Sequence, residues 1–265
     1  MRTPAVVVGT DGTEPGTAAV RWAALDADRR NLPLRIVHVL EWDWAVSRYD
    51  VGGQTFQLAR QSARLVAEDA VRVALRAAPG IALRAQIAVG HPAGQLLNAA
   101  VDASRLVIGT GRHGRFAGLL LGSVSRRVAA RAHCPVVVVR GRADPGTGLV
   151  AADVDDSGSV DDVLPAAFAA ASGFGTELVA VGSCAPDREA TQRRRLTERL
   201  APWESKYPRV AVELMFSAES AATTLTDISH GTRLIVVGSR RHGPIHGTTA
   251  SQLMRHADCP VLVAR

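Results

Sequence analysis

LVIGTGRHG at residues 106–114 leads, after one helix-length interval, to AHCPVVVVR at 132–140. The chain then repeats the sequence of events: LIVVGSRRHG at 234–243 leads to ADCPVLVAR at 257–265. A β-branched run ending in a glycine turn, then a Cys-Pro step into a second such run, marks a duplicated fold when it recurs. The agreement extends upstream. VVVGTDGT from Val6 parallels VAADVDDS from Val150, and LRIVHV from Leu34 parallels TELVAV from Thr176. The offset is 144 from Asp11 to Asp155, 142 from Val39 to Val181, 129 from Gly109 to Gly238 and 125 from Cys134 to Cys259. The second copy is therefore expected to lack about 13 residues between its second and third strands, matching Glu41–Gln54 of the first, and four more after Gly238. Residues 141–148 are rich in Gly and carry a Pro, as a linker should be, which sets domains at 1–140 and 149–265.

Within each copy, short apolar runs alternate with Ala- and Arg-rich segments of helical length. In the first copy strands are expected near 5–9, 34–39, 81–89, 106–109 and 135–140, and helices near 15–30, 56–78, 92–103 and 122–132. Runs that are apolar on both faces suit parallel strands covered on both sides. The fold class is thus α/β: two tandem, open, doubly wound parallel five-stranded sheets of order 3-2-1-4-5. Such sheets bind ligands beyond the carboxyl ends of the strands where the strand order reverses. Here that crevice is lined by Gly9-Thr10-Asp11 after strand 1 and by the turn from Gly109 after strand 4.

Composition narrows the function. Hydrophobic residues make up 47% and charged residues 21%, so the chain has a core, and no apolar run reaches the roughly 18 residues of a membrane span. The N-terminal residues show no secretory signal, and three cysteines without a C-x-x-C pair fit a reducing compartment; a cytoplasmic location is expected, without membrane contact. The net charge of +6 is almost all arginine, Lys206 being the single lysine. With 4% aromatics the stacking platforms of nucleic-acid binders are scarce, and no nucleic-acid partner is expected.

The glycine turns point to an anion. A Walker A loop is excluded because no Gly-Lys-Ser/Thr exists. Gly109, Gly111 and Gly114 spell G-x-G-x-x-G, but no acid follows in Ala129–Val139 to hold a ribose. Gly122-Ser123-Val124-Ser125 opens the helix that follows, and a helix start presents free N–H groups and a positive dipole end. The hydroxyls of Ser123 and Ser125 suit phosphate oxygens; Ser123 suits the role of helix cap equally well.

Gly109-x-x-Arg112, followed by HGRFAGLLL and Gly122-Ser123, resembles the nucleotide loop of the universal stress proteins, G-x2-G-x9-G-[S/T]. VVVGTDGT, His38-Val39, Gly90-His91-Pro92 and SVSRRVAARAHCPVVVVR are similar to that family too, over nearly the whole tandem chain. The resemblance implies an adenine nucleotide alpha hydrolase-like fold and a stress-response sensor or regulator. Such a protein binds ATP, with or without Mg2+, and has no catalytic activity. A homodimer is expected. The resemblance would place Asp11 at the adenosine, the Val39 backbone at the adenine, and Gly109, Gly122, Ser123, Val124 and Ser125 at the phosphates. Arg112 stands where the motif has its second glycine, and is expected either to reach a phosphate as a forked donor or to obstruct the site. A nucleotide-free scaffold is the alternative function.

The second copy departs further. Gly238 to Gly247 is 9 residues against 13 for Gly109 to Gly122, Asp156 replaces Gly12, and Ala250 replaces Ser125. Weak or no nucleotide binding is expected there. His242 and His246 flank a Gly-Pro turn and are read as loop residues rather than metal ligands. Trp42, Trp44 and Tyr49 are read as loop packing or a lid over the nucleotide.

Overall fold

The computed structural model describes residues 4–42, 53–110, 121–142, 146–154, 160–239 and 249–265. It divides into two compact units, Met1–Val139 and Arg140–Arg265.

The first unit runs β1 (Ala5–Thr10), α1 (Glu14–Arg29), β2 (Leu34–Leu40), α2 (Gln54–Ala77), β3 (Leu83–Val89), α3 (Pro92–Ala99), β4 (Ala103–Gly109), α4 (Ser123–Arg131) and β5 (Val136–Val139). Its strands are parallel, in the order β3-β2-β1-β4-β5. The centre of this sheet is apolar on both faces: Val6, Val7, Val8, Ile36, Val37 and Val107 are fully buried. Helix α1 lays Ala19, Ala23 and Ala27 on the sheet, small residues at i, i+4 and i+8 that let the backbones approach.

The second unit runs β6 (Leu149–Asp153), α5 (Val160–Phe174), β7 (Leu178–Ser183), α6 (Glu189–Lys206), β8 (Val212–Ser217), α7 (Ala221–Ile228), β9 (Thr232–Gly238), α8 (Thr249–His256) and β10 (Val261–Ala264). Its parallel order is β8-β7-β6-β9-β10, the arrangement of the first unit repeated.

Strand register corrects two sequence readings. Val6 pairs with Leu34 and Val150 with Leu178, so the second strands stand 144 residues apart, as the first strands do. The equivalent of Val39 is therefore Ser183, not Val181. A slip of two residues leaves every side chain on its own face, so hydrophobic pattern could not expose it. Leu34 pairs with Leu83 and Leu178 with Val212, so the interval shrinks by fifteen residues, all between the second and third strands. Helix α3 also ends at Ala99 and β4 begins at Ala103, earlier than the expected 106. Ser104 and Arg105 look unlike strand residues, yet each has a partner that makes burial tolerable. The Ser104 hydroxyl donates to the Ala5 carbonyl at 3.1 Å, and Arg105 meets Asp26.

Candidate functional site

At the carboxyl ends of β1 and β4 the first unit holds a cavity of about 340 Å³. Strand β1 contributes Gly9 and Thr10, followed by Asp11; β4 contributes Gly109; β2 contributes Val39; and the start of α4 contributes Gly122, Val124 and Ser125. These eight sequence-selected residues share one wall system. Ser123 is exposed and outside the lining. Arg112 lies outside the described residues, as do Trp44, Tyr49, Asp155, Asp156, His242, His246, Gly247 and Thr248.

Close backbone approach builds the crevice. A Cβ on Gly109 would lie 2.5 Å from the Pro15 carbonyl oxygen, and one on Gly16 would lie 2.6 Å from Asp11 Oδ1 and 2.9 Å from Thr10 Oγ1. Only glycine lets the first turn of α1 sit against both strand ends. Asp11 is fixed by its own turn: Oδ1 accepts from the Thr13 amide at 3.0 Å and from the Thr13 hydroxyl at 2.6 Å. His38 Nδ1 donates to the Thr10 carbonyl at 2.9 Å, tying β2 to the end of β1.

Three helices start at this cavity, and none has a side-chain cap. The N-cap positions are Thr13 for α1, His91 for α3 and Gly122 for α4. Ser123 is thus not the cap; glycine is, and the amides of Ser123, Val124 and Ser125 open α4 without intrahelical acceptors. Ser125 departs from its expected role. Its buried hydroxyl donates to the Gly109 carbonyl at 2.8 Å, so its proton secures α4 to β4 and is not offered to a phosphate.

Strand β2 passes beyond the last β1 pair, Thr10 with His38. Along a parallel strand the polar groups of successive residues turn to alternate neighbours. The amide of Leu34 donates to Ala82 and the carbonyl of Leu40 accepts from Gly90, both towards β3. Odd-numbered β2 residues therefore face β1: the Val39 N–H closes the last pair by donating to the Thr10 carbonyl, and the Val39 C=O faces the side where β1 has ended.

Sequence reasoning missed Gly16, Glu41, Pro92 and Leu96 in this lining. Glu41 had a signal: it lies two residues past Val39 and so projects to the same side of the chain. Asp11 and Glu41 are the charged residues of the described lining, so the positive potential there comes from helix starts. Trp42, one of the lid candidates, packs its ring 5.0 Å from that of Phe56 in α2. Among the described residues, no group of three or more His, Cys, Asp or Glu is arranged to hold a metal.

The sequence profile of the Universal stress protein family matches residues 3–140 and 149–265. The chain belongs to the universal stress protein family. A universal stress protein of Mycobacterium tuberculosis is 31% identical over 286 residues, covering 98% of this chain and 96% of its own. A second from the same organism is 31% identical over 287 residues with the same coverage. A crystal structure of a universal stress protein from Archaeoglobus fulgidus superposes with a TM-score of 0.79 at 19% identity, covering 100% of this chain and 99% of that one.

The two universal stress protein domains differ at the crevice. Where the first has Gly9, Thr10, Gly16 and Ser125, the second has Asp153, Val154, Val160 and Ala250. Val160 is buried at the start of α5. Helix α7 is capped by Ser220, whose hydroxyl accepts from the Thr223 amide at 3.2 Å, whereas its counterpart α3 is uncapped.

Proposed function

We propose that the first unit binds an adenine nucleotide, ATP by preference, and that the chain is a non-catalytic, cytoplasmic sensor or regulator of the stress response. The base donates its exocyclic amine to the C=O of Val39. The ribose hydroxyls meet Asp11, whose Oδ2 remains for them. The phosphates take the amides of Gly122 to Ser125, with Mg2+ as their counter-ion. The observation that carries this reading is the meeting of three uncapped helix starts on one cavity, opposite the Val39 carbonyl that lies beyond the last β1 pair. Helix-start amides without a competing side-chain cap attract a polyanion. Family membership supports the same reading and the homodimer, and the cysteine usage supports the cytoplasmic location.

One feature favours the scaffold reading: the described lining carries two carboxylates, Asp11 and Glu41, and no cationic side chain. Calorimetric titration of the purified chain with ATP separates the two. Saturable binding with a rise of several degrees in melting temperature is expected. A flat titration and an unmoved melting curve leave the scaffold.

A further inference from the structure

The first sheet has a second cavity, of about 330 Å³, at the opposite ends of its strands. Arg35 of β2 and Arg84 of β3 line it, and they stand directly opposite each other in the parallel register, so both leave the same face. Like charges in that relation repel. Asp102 answers only part of this. Arg35 Nη2 donates to its Oδ1 at 2.7 Å, while the buried Nε of Arg35 has no hydrogen-bond partner among the described residues. Arg35 is 8% exposed, and burying a guanidinium with a donor unmet is unfavourable.

The fold does not require this arrangement. By the same register, the second unit has Val179 for Arg35, Glu213 for Arg84 and Gly231 for Asp102. An equivalent sheet closes there with no guanidinium at these positions. Pro33, Leu34 and Leu83 give the cavity an apolar wall beside its two arginines.

We propose that this cavity binds a small organic oxyanion, a carboxylate or a phosphate ester, with its charge between Arg35 and Arg84 and its apolar body against Pro33 and Leu83. Such a ligand relieves the repulsion across the strands and supplies the acceptors that the arginine pair lacks. It is independent of nucleotide binding, since Val39 lies at the other end of β2.

The test uses the full chain, with benzoate and inorganic phosphate as probes of the two oxyanion classes. Binding is followed by calorimetry and by the side-chain Nε–H resonance of Arg35, and ATP titration serves as a control for the other cavity. At least one probe is expected to bind and move that resonance, with affinity falling about tenfold or more in both R84Q and R35V. The valine is the residue the second unit uses, and R84Q changes an exposed side chain, so one variant remains informative if the other misfolds. The ATP response of both variants should match that of the parent. Failure of both probes to bind, or binding that persists in R84Q and R35V, overturns the proposal.

Discussion

Arg105 Nη1 lies 3.2 Å from Asp26 Oδ2, and both side chains are at least nine-tenths buried. Asp26 also accepts from Arg30 Nε at 3.0 Å. Burial pulls the Arg105 guanidinium down to about 10, with the Asp26 carboxylate opposing the shift. Register places Leu234 where Arg105 stands, and the 144-residue offset of the first strands places Ala170 where Asp26 stands. The second unit thus shows the apolar replacement of this pair.

Asp26→Ala alone leaves Arg105 buried beside Arg29 and Arg30, and should destabilise the first unit by about 3–5 kcal/mol. The double variant D26A/R105L should recover most of that loss. Denaturant unfolding of the three proteins checks it; a double variant no better than D26A refutes it. The arginine binds its proton less tightly folded than unfolded, so its unfavourable contribution is constant below pH 10 and fades only above it. The gap between parent and double variant should therefore not change between pH 7 and 9.

Gly16→Val installs the residue that the second unit carries as Val160. The new side chain must displace Asp11 Oδ1 or Thr10 Oγ1. ATP affinity should fall at least tenfold, the scale of one lost hydrogen bond to a charged group. Calorimetry on a variant that still unfolds cooperatively decides it.

One ATP per chain is the expected stoichiometry. The second unit has the Asp153 carboxylate in place of Gly9 and a capped α7, both unfavourable to phosphate. Two equivalent sites in a titration would contradict this.

Ser125→Ala should reduce stability by about 1 kcal/mol, through loss of the bond to the Gly109 carbonyl, while ATP affinity changes less than threefold. A large affinity loss at unchanged stability would return Ser125 to the role of phosphate donor.

Burial pushes the Cys259 thiol up to about 12, and Cys134 is buried as well, while Cys184 is half-buried. Native alkylation at pH 8 should modify Cys184 first, because the thiolate is the reactive form. Mass mapping of the labelled chain tests the order.

Much of this was legible beforehand. Duplication, strand order and the Gly9–Gly109 crevice follow from apolar runs punctuated by glycine, where local chemistry and tertiary role agree. What escaped reading depends on partners distant in sequence. Arg105 belongs in a strand only because Asp26 waits 79 residues earlier. Gly16 matters because Asp11 turns back onto α1, and the hydroxyl of Ser125 is claimed by a carbonyl 16 residues away. The slip of the second strands by two positions preserved face parity and so had no signature in hydrophobicity.

The offsets of 144, 129 and 125 between matching strands have a practical use. Each site in the leading half comes with a specimen, in the same polypeptide, of other side chains on an equivalent backbone. Chimeras that trade single side chains between the halves can therefore be drafted by arithmetic, with the trailing half serving as a catalogue of residues that the same architecture carries.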